Sequence, residues 1–155
     1  MTDQRFSQGL RVRVAAVIIR NNTLLLAEHC KDNQTYYLLP GGGVNKGETM
    51  RDALIRELWE ETRLEIQPGR LIFLIESIAP DASRHVIQLA FAATIADNAQ
   101  PSQGEDPRVI SASFFAADKL PTLPMFPPLQ TTLYNGMRHG FPDIPESLGN
   151  RWKAK

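Results

Sequence analysis

Cysteine is almost absent: Cys30 is the only one in 155 residues, which excludes a disulfide framework and a Cys-rich zinc site. An excess of one charge is absent too, with 17 basic residues against 17 acidic ones. A protein whose main partner is a nucleic-acid backbone needs a basic surface, so no nucleic-acid partner is expected. The longest apolar run, residues 14–19, is far shorter than the roughly 20 residues that span a bilayer, so no membrane segment is expected either. The first ten residues include Asp3 and have no apolar centre, unlike a secretory signal, and a cytoplasmic location is the expectation. What remains, 43% hydrophobic and 22% charged residues, describes a single ordinary domain over 1–155. A chain of this length can bury a core without disulfides or a structural metal.

Val12, Val14, Ala16 and Ile18 alternate with Arg11, Arg13, Ala15 and Val17, a pattern that starts half-buried and becomes apolar on both faces, as inside a sheet. Asn21-Asn22 marks a tight turn, from which residues 23–28 return as the second arm of a hairpin. A polar loop over 31–34 and a short strand over 36–39 end at Pro40-Gly41-Gly42-Gly43, where something close to the backbone is expected. From 49 to 62 the period becomes helical, with Met50, Ala53, Leu54, Ile55, Leu58 and Trp59 expected in the core. Strands are predicted over 71–78, 86–95 and 109–115, with a polar loop over 97–107. A short amphipathic stretch over 129–137 lies in a proline-rich tail. Strands around one strong helix, with a second helix near the end, predict a mixed α/β layer fold.

The acids of the central helix are not spread evenly. Glu57, Glu60 and Glu61 sit at i, i+3 and i+4, which places three carboxylates on one stripe about 100° wide. Like charges at that separation repel by about 1 kcal/mol per pair in water and more where water is scarce, so stability alone would not select them. A divalent cation reverses the sign of that interaction. Mg²⁺ is a hard ion, commonly shared between carboxylates and substrate phosphates. The neighbouring glycines, Gly42 and Gly43, offer backbone N–H groups to phosphate oxygens. Arg56 stands beside Glu57 and four residues before Glu60, able to fix a carboxylate and offset the repulsion. Glu48 is placed either to cap the first turn or to join the metal shell through water.

These residues resemble the Nudix box: a glycine, five residues, a glutamate, seven residues, then Arg-Glu-apolar-x-Glu-Glu-x-Gly-apolar. Gly42 is followed at that spacing by Glu48, then by Arg56, Glu57, Leu58, Glu60, Glu61 and Leu64. Only Arg63 departs, standing where the family has glycine. That glycine ends the helix in a left-handed conformation, which another residue adopts at a cost of about 1 kcal/mol, so a local cost with chemistry retained is expected.

The resemblance implies a Nudix-like α/β/α sandwich with a central mixed sheet, the box helix on one face and a C-terminal helix. It implies Mg²⁺ or Mn²⁺ held by Glu57, Glu60 and Glu61, with Glu48 and Glu105 as further candidate ligands. Glu105 lies in the loop where related enzymes place an additional acid. The implied activity is hydrolysis of the pyrophosphate bond in a small-molecule nucleoside diphosphate derivative, a nucleotide sugar or ADP-ribose-like compound ahead of a nucleoside triphosphate. Glu57, Glu61 and Arg56 are then the catalytic candidates, and Glu57 or a residue outside the box helps deprotonate the attacking water. Some relatives sense a nucleotide without cleaving it, which is the alternative. Gly42 and Gly43, with Arg13, Arg84 and Phe126, are substrate-binding candidates, and Arg11 is placed with the other two arginines to meet a phosphate or ribose group; a strand-edge arginine and a packing aromatic are the ordinary readings of these four side chains. Glu76, Asp106 and His85 are weaker candidates, Tyr36 and Phe126 are read as packing residues with stacking on a base as the alternative, and Cys30 is read as a small semi-buried residue. Homodimers are common among similar proteins, and the strand near the N-terminus offers an edge for pairing with a second copy.

Overall fold

The two-faced apolar strand is the axis of the molecule. The computed structural model describes residues 9–152, so the expected 1–155 span extends beyond it at both ends. The elements run β1 (Arg11–Val17), β2 (Ile19–Arg20), β3 (Thr23–Lys31), β4 (Gln34–Leu38), β5 (Gly41–Gly43), α1 (Met50–Thr62), β6 (Gln67–Ile78), β7 (His85–Thr94), β8 (Val109–Ala116), a short 3-10 helix (Ala117–Thr122), α2 (Gln130–His139) and β9 (Glu146–Asn150). One mixed sheet has the order β5-β1-β7-β6-β9, with β1 parallel to β7 and β6 parallel to β9. A second, antiparallel sheet holds β2, β3 and β4, with β8 on the other side of β3.

The alternation in β1 divides the core. Val14, Ala16 and Ile18 pack with Ala53, Leu54 and Leu58 of α1, whereas Ala15 and Val17 pack with Leu129, just before α2, and Leu133 within it. The helices therefore cover opposite faces, the expected α/β/α sandwich. Thr49 caps α1, its Oγ1 accepting from the Asp52 N–H at 3.0 Å, which satisfies a donor the first turn would leave free. No helix among the described residues is long and apolar enough to cross a membrane.

Several expectations change. The glycine run, expected only to end the short strand before it, is a strand itself: β5 pairs antiparallel with β1, Gly42 opposite Val14. Since β1 is paired on both sides, it offers no free edge to a second copy. Asn21-Asn22 does turn a hairpin, but its first arm is β2, because the chain leaves the mixed sheet at Ile18. The buried stripe of α1 is narrower than its apolar content: Met50, Ile55 and Trp59 are 42%, 38% and 44% exposed. Cys30 is exposed as well. Strand β9 and the 3-10 helix had no strong signal, since ESLGN and ADKLPT carry too little periodicity to mark them.

Candidate functional site

Leu54, Glu57, Leu58 and Glu61 follow the i, i+3, i+4, i+7 spacing of a core-facing helical stripe. Two of those four positions are acids. Glu57 is 9% and Glu61 3% exposed, while Glu60 stands at the rim, so the three glutamates are divided between the interior and the surface. Gly42 explains how Glu57 fits: a Cβ at that position would overlap the Glu57 carboxylate. Glu61 Oε2 accepts from the Gly41 N–H at 3.1 Å. The glycines thus supply close approach and one donor to the acids. Gly42→Ala is expected to destabilise the fold by about 1–3 kcal/mol through overpacking. By displacing Glu57 it is also expected to lower kcat about 100-fold, both readable from thermal melts and steady-state kinetics.

Arg56 holds the arrangement together. Its Nε and Nη2 donate to Glu48 at 2.8 and 2.9 Å, Nη1 donates to Glu57 Oε1 at 2.8 Å, and Nη2 also reaches the Gly43 carbonyl at 3.0 Å. Glu60 lies farther, at 3.4 Å. The fork on Glu48, with a further bond from the Asn45 N–H, lowers that carboxyl to about 2. Glu61 moves the other way, up to about 7: burial dominates and Glu57 adds to it, against the opposing pull of Arg13 and the Gly41 N–H.

Beyond these acids opens a cleft of about 290 Å³, lined by Arg11, Arg13, Arg84 and Arg108, by Gly41, Gly42 and Gly43, by Glu61, and by Tyr36, Phe126 and Trp152. Strand β1 supplies Arg11 and Arg13 and its partner β7 supplies Gln88; the register sets Arg13 opposite both Gly43 and Gln88. Arg13 Nη2 donates to the Leu39 carbonyl at 2.9 Å, but its buried Nε has no partner among the described residues. Burial pulls its pKa down, opposed by Glu61 and Glu57. His29 also lines the cleft, 9% exposed and with Nε2 unpartnered, and burial followed by the nearby Arg13 charge lowers its pKa. Unpartnered side-chain nitrogens among several cations have the chemistry that an anion with further polar groups would complement.

Of the residues singled out from sequence, Gly42, Gly43, Arg11, Arg13, Arg84, Phe126 and Glu61 line this cleft. Arg56 lies behind it, bonded to the acids. Glu105 is not brought to it: its side chain is 71% exposed and pairs with Arg63 at 2.8 Å. Asp106 is held by Arg108 at 2.7 Å, and Glu76 faces His85 at 3.5 Å. Arg108, Gln88, His29 and Trp152 were missed; only the topology unites β1, β3, β7, the 101–108 loop and the tail at one opening. Tyr36, read as a packing residue with base stacking as the alternative, also lines it.

Arg63 ends α1 in the left-handed region, at φ 58° and ψ 21°, with its N–H on the Trp59 carbonyl. The next carbonyls are covered by the following loop, Glu105 N–H donating to Glu60 at 2.7 Å and Ser102 N–H to Thr62 at 2.9 Å. A Cβ on Gly104 would overlap the Glu60 carbonyl, so glycine is needed there for the loop to dock. Arg63 lies over the Trp59 ring and pairs with Glu105. Arg63→Gly is therefore expected to shift stability by less than about 1 kcal/mol, since relief of the left-handed cost offsets a largely exposed ion pair. Turnover should stay near wild type; a rise of orders of magnitude would show that the departure damages function.

A hard divalent cation fits this donor set, because buried carboxylate oxygens with incomplete compensation are its preferred ligands. Glu57 and Glu61, with Glu60 at the rim, are the residues that would hold it. Among the described residues no three acids, histidines or cysteines are already gathered around one point. Glu60 would have to leave Arg56 to join the other two.

A family model described as NUDIX domain matches residues 9–137. The NAD-capped RNA hydrolase NudC of Edwardsiella ictaluri (strain 93-146) is 30% identical over 122 residues, which are 78% of this chain and 45% of that protein. An ADP-ribose pyrophosphatase of Methanocaldococcus jannaschii is 33% identical over 114 residues, 72% of this chain and 65% of that one. The chain thus spans under half the length of the first relative and just under two thirds of the second. A solved NUDIX hydrolase from Nitrosomonas europaea superposes with a TM-score of 0.74 at 22% identity, over 86% of this chain and 91% of that one, a likeness of fold.

Proposed function

Because the chain belongs to the Nudix family, we propose that it hydrolyses the pyrophosphate bond of a small nucleoside diphosphate derivative. One observation carries this: two ionisable carboxylates, Glu57 and Glu61, occupy core-facing helix positions beside a cleft lined by four arginines. Stability disfavours buried acids, whereas a site for a diphosphate and a cation uses them. A nucleotide sensor, the alternative, would need the arginines but has no use for Glu61 pushed up to about 7.

In this reading Arg13, Arg84 and Arg108 receive phosphate oxygens, Arg13 with an Nε that has no other partner. Glu57 and Glu61, with Glu60, hold Mg²⁺ or Mn²⁺, which when bound polarises a diphosphate and lowers the pKa of coordinated water. Arg56 fixes the Glu57 and Glu48 carboxylates and acts through them, as a positioning residue. The archaeal relative named ADP-ribose pyrophosphatase supports a ribose- or sugar-linked diphosphate ahead of a triphosphate. A formal charge of zero supports a small molecule ahead of a capped RNA.

The test is a panel of ADP-ribose, UDP-glucose, NAD and ATP incubated with Mg²⁺ or Mn²⁺, with products identified by mass. Metal-dependent release of a nucleoside monophosphate with its phosphorylated partner is expected. Tight binding without any metal-dependent product would favour the sensor.

A further inference from the structure

The cleft lining has two chemically different parts. One carries Glu61, the glycines and the arginines. The other carries Tyr36, Phe126 and Trp152, delivered by three separate parts of the chain: β4, the loop before α2, and the tail after β9. Trp152 lies beyond residue 137, where the family match stops. The tail is nonetheless firmly placed. Strand β9 pairs parallel with β6, and the Arg151 N–H donates to the Glu76 carbonyl at 2.8 Å. Asn150 Oδ1 accepts from both the Ile78 and Trp152 N–H groups at 3.1 Å. The indole is therefore aimed by a backbone clamp.

The Phe126 ring lies 5.5 Å from Trp152 and 6.4 Å from Tyr36, each pair at 87°. None of these pairs is stacked face to face, so flat π-surface remains for a ligand. Beside Tyr36, at 5.5 Å between ring centroids, lies His29, whose buried Nε2 has no partner among the described residues. A nucleobase meets both conditions, with flat faces for the rings and polar edge atoms for the imidazole.

We propose that Trp152, Phe126 and Tyr36, with His29 Nε2, form the nucleobase subsite, and that the tail strand β9 makes Trp152 a specificity-determining residue. This rests on the nucleotide reading above and deepens it. The subsite acts on binding, because aromatic faces stack on a base and bring no charge to the diphosphate.

The chain has two tryptophans, and Trp59 is on the outer face of α1, so Trp59→Phe leaves Trp152 as the sole tryptophan reporter. Titrating that variant with AMP should change its tryptophan fluorescence saturably, while ribose 5-phosphate, which lacks a base, should not. With whichever nucleoside diphosphate is hydrolysed, Trp152→Ala should raise KM about 5- to 150-fold, the range for stacking one base on one aromatic side chain. The kcat should stay within about threefold, and Trp152→Phe should recover most of the affinity. The fluorescence titration needs no turnover, so an AMP response without hydrolysis of any diphosphate leaves the subsite standing and removes only the hydrolase reading. Hydrolysis with no AMP response and an unchanged KM in Trp152→Ala, or an equal response to ribose 5-phosphate, overturns the subsite.

Discussion

Glu61→Gln is expected to lower kcat by about 10²–10⁴-fold, the range for removing a charged group from the reacting centre, while making the metal-free protein more stable at pH 8. The two effects have one cause. Burial raises the Glu61 carboxyl from 4.5 to about 7, so between those values the native state keeps a proton that the unfolded chain releases. Stability contributed by this group is therefore present at low pH and lost as pH rises towards 7. Glutamine can still accept the Gly41 N–H but never ionises, so its benefit is of the order of 1–3 kcal/mol above pH 7. Melts of both proteins at pH 5 and pH 8, without metal, should show the gain only at the higher pH. Mg²⁺ should diminish it, because the ion stabilises the ionised wild type, and below pH 7 its binding should release a proton. Turnover within tenfold of wild type would remove Glu61 from the reaction.

Arg56→Ala should lower both stability and turnover, by a different route. The guanidinium bonds Glu48 through two nitrogens, Glu57 through a third, and the Gly43 carbonyl. Its loss leaves Glu48, Glu57 and Glu60 without their shared counter-charge. A loss of about 2–3 kcal/mol is expected, the scale for hydrogen bonds to charged groups. A 10–100-fold fall in kcat is expected because a carboxylate loses its orientation. Arg56→Lys keeps the charge without the planar fork and should recover only part of either loss. Added Mg²⁺ should restore stability to Arg56→Ala more than to wild type, since a cation replaces the missing charge. Melts with and without the ion, together with kcat for both variants, read these outcomes. Wild-type turnover in Arg56→Ala would show that Glu57 needs no positioning.

Local signals survived folding where they concerned neighbours on one element. The alternation of β1 does divide the core, and Arg56 grips the acids one, four and eight residues away; the cap expected of Glu48 falls instead to its neighbour Thr49, while the Glu48 carboxylate turns to Arg56. Signals that counted apolar residues without a direction did less well. Trp59 and Ile55 were expected inside because they are apolar, yet the helix turns Glu57 and Glu61 inward in their place, and only the position of β5 against α1 makes room for that. The glycines likewise announced a close approach, but the partner is the Glu57 carboxylate and the β1 backbone.

What the amino-acid sequence determined by itself was the helix, its spacing of acids and the arginine beside them, because each depends on contacts within about one or two turns. Tertiary structure decided which acids are buried, and so which carboxyl rises in pKa. It also decided which distant side chains share the cleft: Arg13 from β1, Arg108 from a loop, Trp152 from the tail. Those meet only through strand pairing across long stretches of chain, and no local period encodes such a pairing.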